Sequence, residues 1–244
     1  MKNQKNFYDN LMDEKSHFTF FTKDTRFNVE KLLTKKNIII YFDEYVKNFI
    51  SINDKILDYG CGPGTFSVKL SNMTKGNVYG VDISKNFIHE CERLKEKLNI
   101  KNFIPKYIEN EALPFEDNTF DIVLLFDVIH HLDDIDKNLI EIKRVLKKSG
   151  KIIIYEPNKL NPLIALMHLI DSNERGLLKV GTKKKYFDIL TKYQFKKIQQ
   201  KYSGIIVGPE SRMLNLLSSV LNHRYLFKFF GWLNPKIAII AEKD

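Results

Sequence analysis

Residues 56–64 read Ile-Leu-Asp-Tyr-Gly-Cys-Gly-Pro-Gly, a short apolar run that ends in three closely spaced glycines. Glycine lets a backbone turn tightly and approach a ligand with no side chain in between. A strand, a glycine turn and a helix in that order can cradle a nucleotide. The spacing of Gly60, Gly62 and Gly64 departs from the dinucleotide pattern, since Thr65 stands where its third glycine belongs. Asp58 stands just before the first glycine, where a carboxylate repels a pyrophosphate. Asp82 lies about twenty residues past the glycines, a place from which a carboxylate can accept both hydroxyls of a ribose. That spacing alone suits a nicotinamide enzyme equally well. Farther on comes Asp127-Val128-Ile129-His130-His131. A histidine there can take a proton from a substrate hydroxyl, or it can simply cap a helix. Glu156, in Glu156-Pro157-Asn158, can orient a substrate amine or hydroxyl, or bind water at a sheet rim. Cys61 and Cys91 show no ligand spacing and no oxygen-ligand cluster is identifiable, so no metal is expected.

Alternating elements must hold these groups. Residues 1–50 read as helical, with apolar residues at helical spacing over Val29–Leu33 and Ile38–Ile50. Strands are predicted at Lys55–Asp58, Asn77–Asp82, Phe103–Ile108, Phe120–Phe126 and Lys151–Glu156. Helices are predicted between them at Phe66–Leu70, Asn86–Leu98 and Ile135–Leu146. Strands alternating with helices imply a parallel sheet covered on both faces, and strands this apolar suit such burial. Then follow helices at Pro162–Ile170 and Lys184–Tyr193, a strand at Lys196–Tyr202, a helical stretch at Ser211–Phe230 and a closing strand at Lys236–Glu242.

Asp58-x-Gly60-x-Gly62-x-Gly64 resembles the first motif of class I S-adenosylmethionine-dependent methyltransferases. Three further segments are similar to the family in order. These are residues 78–84 around Asp82, residues 109–121 from Glu109 onward, and residues 146–150 before the fifth strand. The resemblance covers residues 50–158 and is nearest the subgroup with quinone-biosynthesis and other small-molecule enzymes. It implies an α/β, Rossmann-like, doubly wound fold. The sheet would be seven-stranded and mostly parallel with an antiparallel last strand, preceded by N-terminal helices and with a helical insertion before that strand. It implies S-adenosyl-L-methionine as cofactor and S-adenosyl-L-homocysteine as product. Asp58 would suit the methionine ammonium, beside Gly60, Cys61, Gly62 and Gly64. Asp82 and Ile83 would hold the ribose, Glu109 and Asn110 the adenine, with Phe126 and Asp127 lining the site. His131 and Glu156 would serve the acceptor. Apart from the resemblance, Tyr8 can either close over the cofactor or simply pack in a core, and Arg26 can pair with the methionine carboxylate. Residues 1–244 are expected to form one domain: a helical cap (1–50), a cofactor-binding core (51–158) and a substrate side (159–244).

Composition sets the remaining expectations. The chain has 244 residues, 43% hydrophobic and 28% charged, enough for a full core without disulfides. No apolar run is long enough for a membrane span and no secretory leader is evident, so a cytoplasmic protein is expected. The formal net charge of +9 comes from scattered lysines, and no aromatic–glycine RNA signature is present, so nucleic acid is not the expected partner. A small-molecule acceptor, methylated at oxygen or nitrogen, is the leading expectation. A lipid-linked or isoprenoid acceptor is the second, because residues 212–233 are rich in Leu and Phe and suit either a core or a peripheral membrane contact. An NAD(P)-dependent oxidoreductase and a non-catalytic cofactor-binding protein are the two competing function classes. The sequence does not specify an oligomeric state.

Overall fold

The computed structural model describes residues 29–33, 35–170, 176–205, 216 and 230–244. The helices expected before residue 29, with Tyr8 and Arg26, lie outside the described residues. So does nearly all of the apolar stretch before the last strand.

Two helices open the described chain, α1 (Val29–Leu33) and α2 (Lys36–Tyr45). Then come β1 (Ile56–Tyr59), α3 (Thr65–Ser71), β2 (Val78–Asp82), α4 (Lys85–Lys97), β3 (Phe103–Tyr107) and β4 (Phe120–Phe126). They are followed by α5 (Ile135–Val145), β5 (Leu146–Pro157), α6 (Pro162–Ile170), α7 (Leu177–Val180), α8 (Lys183–Lys192), β6 (Phe195–Ser203) and β7 (Lys236–Lys243). Among the described residues the strands form one seven-stranded sheet in the order β3-β2-β1-β4-β5-β7-β6. The first five run parallel, and β7 lies antiparallel between β5 and β6. This is the expected mostly parallel sheet with an antiparallel last strand.

The core lies on both faces, as a buried parallel sheet requires. Leu57, Val123 and Ile152 face a cluster with Leu139 and Ile142 of α5. Their neighbours Ile56, Leu124 and Ile153 face the other way, toward Ile38, Tyr41 and Phe42 of α2. Ser84 caps α4 by accepting from the Phe87 N–H, and Asp134 caps α5 by accepting from the Lys137 N–H.

Two boundaries differ from expectation. The helix expected to reach Ile50 stops at Tyr45, where Val46 leaves helical backbone at φ −123°, and a 3-10 turn (Lys47–Phe49) follows. The fifth strand starts at Leu146 rather than Lys151, because Ser149 takes a positive φ of 59° and the ladder to β4 shifts register there. Chain direction away from β1 reverses between β2 and β4, which makes the carboxyl ends of β1 and β4 the natural ligand crevice. Among the described residues no helix is long and apolar enough to cross a membrane.

Candidate functional site: a cofactor cradle at the carboxyl ends of the strands

The turn after β1 is held in a shape that only glycine adopts without strain. Gly60, Gly62 and Gly64 have φ of 72°, 53° and 93°. At Gly60 there is also no room, because a Cβ would stand 2.7 Å from Val128 Cγ2. At Gly62 a Cβ would meet nothing within 4 Å among the described residues, so with respect to them that side of the turn is open. The N–H of Gly62 donates to Asp82 Oδ2 at 2.9 Å, and the N–H of Ser84 donates to Asp82 Oδ1 at 2.9 Å. The N–H of Ile108 donates to the Asp82 carbonyl at 3.0 Å, so Glu109 and Asn110 emerge beside that acid, both exposed. Asn110 accepts from the Ala112 N–H at 2.9 Å, which fixes the bend. Ile83 is half-buried against the core. Cys61 is buried, and its thiol donates to the Gly62 carbonyl at 3.5 Å.

Beneath this turn lies Asp58, only 1% exposed. It accepts from Ser67 Oγ at 2.6 Å. Burial pushes its carboxyl up to about 7, with repulsion from Asp82 adding to the shift and the Ser67 bond opposing it. In the ligand-free protein its carboxylate is thus engaged by Ser67 of α3.

The far side of the crevice is built differently. Past β4 the chain forms a 3-10 turn, Ile129–His131. Glu156 holds it. Its Oε1 accepts from the N–H groups of Val128 (2.7 Å) and Ile129 (2.8 Å), and its Oε2 meets His130 Nδ1 at 2.6 Å. Tyr186 donates to the same Oε2 at 3.4 Å. Burial alone would raise the Glu156 carboxyl, but His130 and the two N–H groups outweigh it and hold it below the ordinary range. Glu156 is fully buried with both oxygens engaged, so it anchors the turn instead of meeting an acceptor. His131, half-buried, follows His130 with the two rings 3.9 Å apart. His168 of α6 brings a third ring 5.8 Å from His130. Asp127 takes a left-handed φ of 54° and pairs with Lys236 of β7. Its carboxylate is thus paired across the sheet. Phe126 stacks on Phe66 at 4.0 Å and on Tyr155 at 5.2 Å.

Residues 50–202 match a protein-family model described as a methyltransferase domain. The chain belongs to the methyltransferase-domain family. A fission-yeast (Schizosaccharomyces pombe) protein named an uncharacterized methyltransferase is 36% identical over 129 residues, 49% of this chain and 46% of that protein. The ubiquinone/menaquinone biosynthesis C-methyltransferase UbiE of Rickettsia prowazekii is 32% identical over 127 residues, 50% of this chain and 51% of that enzyme. The match thus spans about half the length of these curated relatives. The crystal structure of a SAM-dependent methyltransferase from Aquifex aeolicus has a similar fold, with TM-score 0.59 and 19% identity, covering 89% of this chain and 100% of that one. The chain is thus a methyltransferase-domain protein, with the fold of a solved S-adenosylmethionine-dependent methyltransferase.

The geometry fits that cofactor. Among the described residues Gly62 leaves one side of the turn open, a place that a side chain would fill, and the Asp82 carboxylate beside it is the kind of group that accepts from ribose hydroxyls. Gly60 to Gly64, Asp82 and Ile83 would hold it, with Glu109 and Asn110 emerging where an adenine edge would follow. Sequence reasoning missed Ser67, Lys236 and Tyr41. Ser67 could have been sought one helical turn into α3; nothing in the sequence pointed to Lys236, which lies 109 residues from Asp127.

Proposed function

We propose that the protein transfers the methyl group of S-adenosylmethionine to a small-molecule acceptor, at oxygen or nitrogen. The observation that carries this reading is the roof over the histidine turn. Gly176 packs so closely on it that a Cβ would stand 1.7 Å from the His130 carbonyl oxygen. The following helix α7 buries Leu177 and Val180, and Lys159 ties it down by donating from Nζ to the Leu178 carbonyl at 2.7 Å. An acceptor side covered this way suits a small molecule better than a folded polymer. The bound cofactor supplies an activated methyl group. The chain's task is then to align a nucleophile with reacting atoms about 3 Å apart. An amine needs little more. A hydroxyl needs a base, and in this reading His131, on a turn held by Glu156, takes its proton.

The test is methyl transfer from tritiated cofactor to a panel of small hydroxyl and amine compounds, in the wild type and His131→Ala. For a hydroxyl acceptor kcat should fall roughly 100-fold or more with cofactor affinity unchanged. Transfer to none of the panel, with transfer to RNA or to lipid instead, counts against the reading.

A lipid-like acceptor is the second reading. Leu163, Leu166 and Leu169 of α6 are 57%, 54% and 53% exposed, and Trp232 is 46% exposed. Asn158 joins these regions by donating to the Trp232 carbonyl at 2.8 Å. The relatives named for ubiquinone and menaquinone biosynthesis support the same reading. Co-sedimentation with liposomes should then pull the protein down, and an unbound protein removes this reading.

A further inference from the structure

We infer that the Tyr41 hydroxyl is a cofactor contact, accepting a hydrogen bond from the α-ammonium of the methionine end of S-adenosylmethionine. The inference rests on the proposed use of S-adenosylmethionine and names a residue outside the glycine turn and Asp82.

Tyr41 lies on α2, and its side chain is fully buried. Its ring sits at the carboxyl ends of two strands, 5.2 Å from Phe126 of β4 and 4.5 Å from Tyr155 of β5. These ring contacts explain why an aromatic residue packs there. They leave the oxygen unexplained, because the Tyr41 hydroxyl has no hydrogen-bond partner among the described residues. Other buried tyrosines of the chain differ. Tyr155 donates to Ser203 Oγ at 2.7 Å, Tyr59 donates to Asn138, and Tyr186 donates to Glu156. A buried hydroxyl without a partner costs stability, so phenylalanine would serve a purely structural role better.

The charges around the hydroxyl indicate what would pair with it. Burial pushes its pKa well above the ordinary tyrosine value, and the nearby carboxylates Asp58 and Asp127 add to the shift. The hydroxyl therefore stays protonated and neutral. Asp58 lies in β1 and Asp127 follows β4, the two strands whose carboxyl ends flank the crevice. Lys236 already balances Asp127, so Asp58 is the carboxylate that favours a ligand cation here. The cofactor's amino-acid head carries one in its ammonium, which can donate N–H to the hydroxyl oxygen.

Tyr41→Phe removes only the oxygen and keeps the ring. Calorimetric titration would use S-adenosylmethionine, S-adenosylhomocysteine and 5′-methylthioadenosine, which lacks the amino-acid head. Thermal melts of the ligand-free proteins would accompany it. We expect the variant to melt at or above the wild-type temperature, to bind both amino-acid ligands roughly tenfold more weakly, and to bind methylthioadenosine as the wild type does. Unchanged affinity for S-adenosylmethionine overturns the inference. So does an equal loss for methylthioadenosine, or a lowered melt, which would assign the hydroxyl to the fold. If the wild type itself bound no adenosyl ligand, the cofactor assignment would fail first.

Discussion

Around β1 and β2 the site is made mainly of backbone: three glycines at positive φ, two N–H groups on Asp82 and an open space beside Gly62. Around β4 and β5 it is made of side chains bonded across long stretches of sequence. Glu156 holds the turn of His130 from 26 residues away, and Lys236 pairs with Asp127 from 109 residues away. The first region presents a shape that many sequences can share. The second depends on particular pairs, which suits a cofactor common to a family and an acceptor particular to one member.

The largest expected effect that sharpens this contrast is in the second region. Glu156→Ala leaves two buried N–H groups and His130 without their acceptor, so unfolding free energy should drop by about 3–5 kcal/mol in denaturant titrations. A loss near zero would mean that the turn does not depend on that carboxylate. Acidity separates the two regions by sign. Asp58 has its folded pKa raised from 3.8 to about 7. The folded state therefore holds a proton that the unfolded state gives up, so this contribution is full below pH ~4 and is lost as pH rises toward ~7. Glu156 has its folded pKa lowered, so its contribution is present above its unfolded value, near ~4.3, and is lost as pH falls through the folded one. Melting curves against pH should thus show Asp58→Asn gaining on the wild type toward neutral pH. Glu156→Gln should lose least at the acid end. Parallel curves for both variants would break the comparison. The smallest effect is at the cradle. Gly60→Ala pushes a methyl against Val128 at a left-handed φ, and should cost roughly 1–3 kcal/mol of stability along with cofactor affinity. Gly62→Ala meets open space, so it should cost less stability and still weaken binding of the cofactor.

The same difference explains what the sequence made legible. Strand and helix alternation, the glycine turn and Asp82 follow from local pattern, and the antiparallel closing strand lies where Lys236–Glu242 placed it. The roles of Asp58, Asp127 and Glu156 did not follow. Each is a carboxylate near a strand end, and its neighbours come from elsewhere in the chain: Ser67, Lys236 and His130. Local spacing tells that an acid stands at the crevice. It does not tell whether another element already holds it. Tyr41 was hidden for a related reason, since on α2 it sits at a helical core position and only its missing partner distinguishes it.

The central claim is that the cradle between Gly60 and Asn110 binds an adenosyl cofactor through Asp82. Calorimetric titration with S-adenosylmethionine, S-adenosylhomocysteine and NADH, in the wild type and Asp82→Ala, tests it most directly. The account predicts saturable binding of the two adenosyl ligands, none of NADH, and loss of binding in a variant that still melts cooperatively. NADH binding in place of the adenosyl ligands, or adenosyl binding that survives Asp82→Ala unchanged, would contradict it.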